Sequence, residues 1–419
     1  MVKPVAVFPV ILLLTMFCGR SAGQSAPRAL PGNKNSFVLP GKWRAVFHIN
    51  DSTDVPANFE IKGSTAAEAR VYFLNGEERF ESGTLRRAQD SIFIQTTPFD
   101  NELAFVIDGS SLKGVLRKQD LSGRPLPVTA VHSDHRFEEK GLVPAADLSG
   151  TYAVDFINEK NGNEKAVGLL AQEGNHLKAT FLRVTGDSRY LDGVVEGNRF
   201  YLSSFIGSAP VYYTGTVMKD GSLRGEIVYA RGQQKYTAVR DDNATLPDAY
   251  QLTLLKEGYS SIDFSFPDLN GRQVSLKDKK YKDKAVIVTI GGTWCPNCID
   301  EAGFLAPWYK ANRNRGVEVI AIHYERQTDS AFLRKAFARF HQRFDIQYDE
   351  VIGGIADKQQ VAASLPALNT FLSFPTTIFI DRRGKVKKIH TGYTGPATGI
   401  YYTRFLKEFN DTVDKLLSE

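Results

Sequence analysis

The sequence predicts an α/β domain at the C-terminus, with a central sheet covered by helices on both faces, preceded by an all-β region of duplicated barrel or sandwich modules. Three observations lead there. Apolar strands and helical stretches alternate after about residue 246. Short alternating strands separated by Gly, Asn and Asp fill the region before it. That earlier region also repeats itself at an offset of about 110 residues. A chain of 419 residues is too long for a single core. We divide it into a leader (1–23), a first β-module (24–140), a second that repeats it (141–245) and the α/β domain (246–419).

The leader has Lys3 near its start, an apolar stretch from Val5 to Cys18, and Ser21, Ala22 and Gly23 before Gln24. This is the pattern of a secretory signal, and the apolar stretch is short for a membrane span. An uncleaved anchor is one alternative. Lipidation of Cys18 is another, although Phe17 is bulky where a lipoprotein signal carries a small residue. The expected location is the periplasm or cell envelope.

In the β-modules, Gly41, Trp43, Ala45 and Phe47 correspond to Gly150, Tyr152, Val154 and Phe156. Phe73-Leu74 corresponds to Phe181-Leu182, Gly83 to Gly193, and Leu112-Lys113-Gly114 to Leu223-Arg224-Gly225. Runs such as Ser91-Ile92-Phe93-Ile94 alternate in and out as strands with one buried face do, and several such strands need a closed or two-layered sheet to protect their edges. His132-Ser133-Asp134-His135 lies between the modules; it is read as an exposed connector, with a partial metal site as the rival.

The polar segment Asp241 to Pro247 marks a linker. Beyond it, strands are expected at Ala285–Ile290, Val317–His323, Thr376–Ile380 and Val386–Ile389, and helices at Cys298–Asn312, Ser330–Phe344 and Tyr402–Leu417. The net charge of +5 is small, and no basic stripe interleaves with aromatics, so no nucleic-acid partner is expected.

Outside the leader the only cysteines are Cys295 and Cys298, in Trp294-Cys295-Pro296-Asn297-Cys298. So small a loop is a poor staple for a large domain. Half of a zinc site is the rival, but zinc needs two more ligands and no second cysteine pair exists; no metal and no cofactor are expected. The pair sits where a buried strand turns into a helix. Pro296 suits the first helical turn, and free N–H groups and the helix dipole favour a thiolate on Cys295. Cys295 is therefore the expected nucleophile, and Cys298, about one turn inward, the resolving thiol.

Three further segments accompany this motif: Asp263-Phe264-Ser265-Phe266-Pro267-Asp268-Leu269-Asn270-Gly271, Phe374-Pro375-Thr376-Thr377, and Ile380-Asp381-Arg382-Arg383-Gly384. With them, Gly258 to Glu419 resembles the thioredoxin-like disulfide reductases of the TlpA and ResA type, in the AhpC/TSA-redoxin-like superfamily, found outside the inner membrane of bacteria. The resemblance implies a thioredoxin fold in which Pro375 is a cis-proline facing the cysteines. It also implies that Trp294, Pro296 and the backbone of Phe374 meet the substrate, and that Glu301 handles the proton of Cys298. A role for Glu301 and Asp300 in merely favouring the helix start stays open. Thr289 replaces the buried aspartate of thioredoxins proper, so more of any proton relay falls on Glu301. Asn297 and Gly291-Gly292 also depart from the common pattern. Thr391 to Pro396 resembles the loop before the last helix in relatives, and is read either as a flank of the active-site surface or as a structural turn.

The expected activity is thiol:disulfide oxidoreduction, as a disulfide reductase. Its partners would be disulfide-containing protein substrates and a membrane thiol-electron donor of the DsbD/CcdA type. An oxidase or isomerase would use the same residues. A second reading treats the β-repeats as a binding or assembly module with an accessory redox domain.

Overall fold

Alternation in the first β-module translates directly into a sheet with one buried face. Trp43, Ala45 and Phe47 lie in register with Phe59, Ala57 and Val55 on the next strand, and all six are buried. The computed structural model describes residues 40–419 except 66, 139, 159–161 and 231. The predicted leader and Cys18 lie outside the described residues.

The first module is a nine-stranded antiparallel sheet spanning Gly41 to His132, open between the strands Glu78–Glu81 and Leu85–Ala88. The second, Gly150 to Arg240, runs through its strands in the same order. Its strands Glu164–Glu173 and His176–Arg183 also pair with each other, which closes eight strands into a barrel. A barrel or sandwich was expected for both modules; the second is a closed barrel and the first a half-barrel left open on one side. The second module contributes to the core of the first. Phe205 from the loop after the strand Arg199–Ser204 enters the first core, 4.5 Å from the ring of Phe47 and 4.7 Å from that of Phe73. Asn75 satisfies its backbone on both sides: the amide donates to the Phe205 carbonyl at 3.1 Å, and the Phe205 N–H donates to the Asn75 oxygen at 3.1 Å. Phe205→Ala is expected to cost about 3–5 kcal/mol of stability, because the cavity would lie between two packed sheets. A denaturation midpoint unchanged from the wild type would count against this role.

The C-terminal part has the thioredoxin-like fold. Its five strands stand in the order Asp349–Ile355, Val317–Glu325, Ala285–Gly291, Thr376–Ile380 and Val386–Thr391; the first three are mutually parallel, and Thr376–Ile380 pairs antiparallel with the strand on either side of it. Helices are α1 (Pro296–Asn312), α2 (Ser330–Phe344), α3 (Lys358–Ser364) and α4 (Ile400–Ser418). Ala285–Gly291 is buried along its whole length, as expected for a strand covered on both faces. Ile287 faces the α1 and α4 side with Leu305 and Phe409. Val286 and Val288 face α3 and the opening hairpin, with Val361 and Phe264. Among the described residues no helix is long and apolar enough to cross a membrane.

Two elements were not foreseen, the strand Asp349–Ile355 and helix α3. The linker is also seated rather than free. Ala244 is buried beside Val167 and Leu182, with Leu246 and Tyr401 packed against them.

Candidate active site

The buried strand Ala285–Gly291 delivers the chain to a tight approach before α1. At Gly292 a Cβ would lie 2.4 Å from the indole nitrogen of Trp294 and 2.5 Å from the Tyr324 carbonyl oxygen, so only glycine fits. The Trp294 N–H then donates to that carbonyl at 2.9 Å. Glu325, fully buried, accepts from the Thr293 backbone N–H at 2.7 Å and from its hydroxyl at 3.1 Å. Burial raises the Glu325 carboxyl, while His323 opposes the rise. Neither Thr293 nor Glu325 was foreseen as part of the site, because a glutamate ending an apolar strand reads as its solvent-facing end.

Cys295 is the N-cap of α1, with Pro296 in the first turn, and its Sγ accepts from the Cys298 backbone N–H at 3.3 Å. The two cysteines are joined by a disulfide, with Cα atoms 5.2 Å apart. Each is only 5% exposed. Across from them the Phe374–Pro375 bond is cis, and the Phe374 carbonyl oxygen lies 3.6 Å from Cys295 Sγ. The Phe374 ring meets Trp294 edge to face at 5.5 Å. Trp294, Pro296, Phe374 and Pro375 are therefore gathered around the sulfurs.

Glu301 lies beneath this surface, 6% exposed. Thr289 and Thr377 are paired across adjacent strands, so both hydroxyls reach the same carboxylate; Thr377 donates at 2.5 Å, and Thr289 donates to the other oxygen. The threonine standing where a buried aspartate was lost is thus a partner of Glu301. Burial pushes the Glu301 carboxyl up to about 7, against the pull of the two hydroxyls. The folded chain then holds this proton more tightly than the unfolded one. The resulting stabilisation is complete below the ordinary value of 4.5 and is lost as pH rises through 7. Glu301→Gln is therefore expected to match the wild type near pH 4.5 and to exceed it by about 3 kcal/mol above pH 8. Equal midpoint differences in denaturant at pH 5 and 8.5 would contradict the assignment.

One neighbour of the dithiol comes from the second β-module. Arg189, its side chain 8% exposed, forms ion pairs with Asp300 of α1 and with Glu78 of the first module at 2.5 Å, and lies 3.5 Å from the Pro296 carbonyl. Burial raises the Asp300 and Asp187 carboxyls, while Arg189 pulls both back. Asp300 is therefore more than a helix-start residue: it joins the redox motif to both β-modules. No local pattern in the chain foretells a contact across about 110 residues.

Residues 258–389 match the AhpC/TSA family. The chain is 31% identical over 140 residues to the thiol-disulfide oxidoreductase ResA of Geobacillus thermodenitrificans, covering 33% of this chain and 72% of that protein. It is 29% identical over 138 residues to ResA of Bacillus subtilis, covering 33% and 69%. Among solved structures it is similar to a thiol-disulfide oxidoreductase from Bacteroides fragilis, at 19% identity and a TM-score of 0.28, covering 36% of this chain and 99% of that one. Through its C-terminal domain, the chain belongs to the ResA family of thiol-disulfide oxidoreductases.

Proposed function

We propose that the Cys295–Cys298 pair is the redox centre of a disulfide reductase of the bacterial cell envelope. The observation that carries this reading is the placement of Cys295: at the N-cap of α1, bonded to Cys298 and facing cis-Pro375. In the reduced protein the Cys295 thiolate attacks one sulfur of a substrate disulfide and expels the other as a thiol. The Cys298 thiolate then attacks Cys295 Sγ. The second substrate thiol leaves and the Cys295–Cys298 disulfide forms, so two electrons pass from the dithiol to the substrate. Glu301, titrating near neutrality, accepts the proton of Cys298 in this step. A membrane thiol carrier of the DsbD or CcdA type returns the electrons, and the signal-like leader supports export to where such carriers face. The substrates are disulfide-containing proteins, met by Trp294, Pro296 and the Phe374 backbone.

We read the two β-modules as a duplication. Gly114 and Gly225, which correspond in the repeat, play one structural part: a Cβ on either would lie 2.0 Å from a carbonyl oxygen of the neighbouring strand. Cys298→Ser is expected to accumulate substrates covalently held on Cys295, separable by reduction after electrophoresis. Equilibration of the wild type with glutathione separates reductase from oxidase. A potential as oxidising as the glutathione couple would overturn the reductase direction.

A further inference from the structure

A thioredoxin-like domain that takes polypeptide disulfides needs open space along its cis-proline loop. Here that space is taken by a segment of the same chain. Val184 to Arg189, between the barrel strands His176–Arg183 and Leu191–Glu196, touches the rim of the dithiol at five places. The Ser373 hydroxyl, one residue before Phe374, donates to the Thr185 carbonyl at 2.8 Å. Gly186 sits on Asn297 of the motif so closely that a Cβ would lie 1.9 Å from the side-chain nitrogen. The backbone at Gly392 runs against Val184, where a Cβ would come 2.8 Å from its carbonyl oxygen. The Asp187 carboxylate accepts from the Gly395 N–H at 2.5 Å, and Arg189 closes the far side on Asp300.

We propose that Val184–Arg189 is a specificity-determining lid: seated, it bars extended polypeptide disulfides from Cys295, while small disulfides still react. This rests on reading Cys295–Cys298 as the redox pair. The low exposure of both sulfurs agrees with it. So does a cleft of about 520 Å³ lined by Pro296 and Trp294 together with Arg326, Leu116 and Ala209. That cleft admits a small molecule and not a folded chain. A protein substrate reacts only in the fraction of molecules whose lid has withdrawn, so its apparent affinity falls by that fraction.

Gly186→Val tests this without replacing a residue of the motif. Its side chain would collide with the Asn297 side chain in the seated position, so one of the two must move, and its φ of +134° strains a branched residue there. The reduced full-length protein is assayed with insulin and with a small aromatic disulfide, and Cys295 is labelled with iodoacetamide and with a maleimide carrying a 5 kDa polymer, a reagent size of about that order being enough to sense the opening. In Gly186→Val the ratio of the insulin rate to the small-disulfide rate is expected to rise at least about tenfold, with polymer labelling accelerated and iodoacetamide labelling little changed. Asp187→Ala, which releases the Gly395 contact, should move the same ratio and serves if the valine variant does not melt cooperatively. Unmoved ratios in the folded variants, with the small disulfide reduced normally, overturn the lid alone. If neither disulfide is reduced even by the wild type, the redox assignment itself fails and the lid with it.

Discussion

Cys295→Ser is expected to lower the reduction of a small disulfide by at least about a thousandfold, the usual scale for loss of an enzyme's nucleophile. The hydroxyl that replaces the thiol cannot form the mixed disulfide. Cys298 cannot substitute for it, since it lies inside α1, is 5% exposed, and has no N-cap position from which its sulfur would meet the helix's free N–H groups. The comparison with Cys298→Ser makes the test sharp. That variant keeps the first attack and loses the release, so it should show one stoichiometric burst of small-disulfide cleavage and then stop. A Cys295→Ser protein that still gave the burst would assign the nucleophile to the other sulfur.

The second large effect concerns stability. Arg189→Ala would leave Glu78 and Asp300 facing each other without their shared cation, with Asp187 close behind. Removing one partner from a buried ionic cluster costs about 3–5 kcal/mol, most of it the penalty of stranding the remaining charges. Asp300 already titrates above the ordinary carboxylate range, and the loss of the guanidinium moves it further up. Acid therefore relieves the damage: the deficit of the variant relative to the wild type should shrink as pH falls from 8 to 5. Arg189→Lys should be intermediate, since an ammonium restores the charge but not the fork that reaches two carboxylates and the Pro296 carbonyl. Thermal melts of the three proteins at the two pH values measure both claims, and a deficit that grows in acid would refute the assignment.

What the sequence made legible follows from how local each signal is. The motif at a strand-to-helix turn, the apolar run before it and the Phe374-Pro375 step are all encoded within a few residues, and the structure brings them together. The strand Asp349–Ile355 was hidden because it opens with two acids and contains Gly353 and Gly354, a composition that reads as a turn. Glu350 is tolerated there because His323 donates to one carboxylate oxygen at 2.9 Å and His341 to the other. The openness of the first sheet was equally hidden, since closure depends on whether its two edges meet, and the ring that enters its core lies about 130 residues away in the chain. Arg189, Asp187 and Glu325 share this property: each matters through a partner that sequence spacing does not reveal.

The seated linker has a consequence for how electrons travel. With Ala244 lodged against Val167 and Leu182, the redox domain is not a bead on a tether that swings between donor and acceptor. Partners must reach the dithiol where the second module holds it, so turnover should not depend on the reach of this linker.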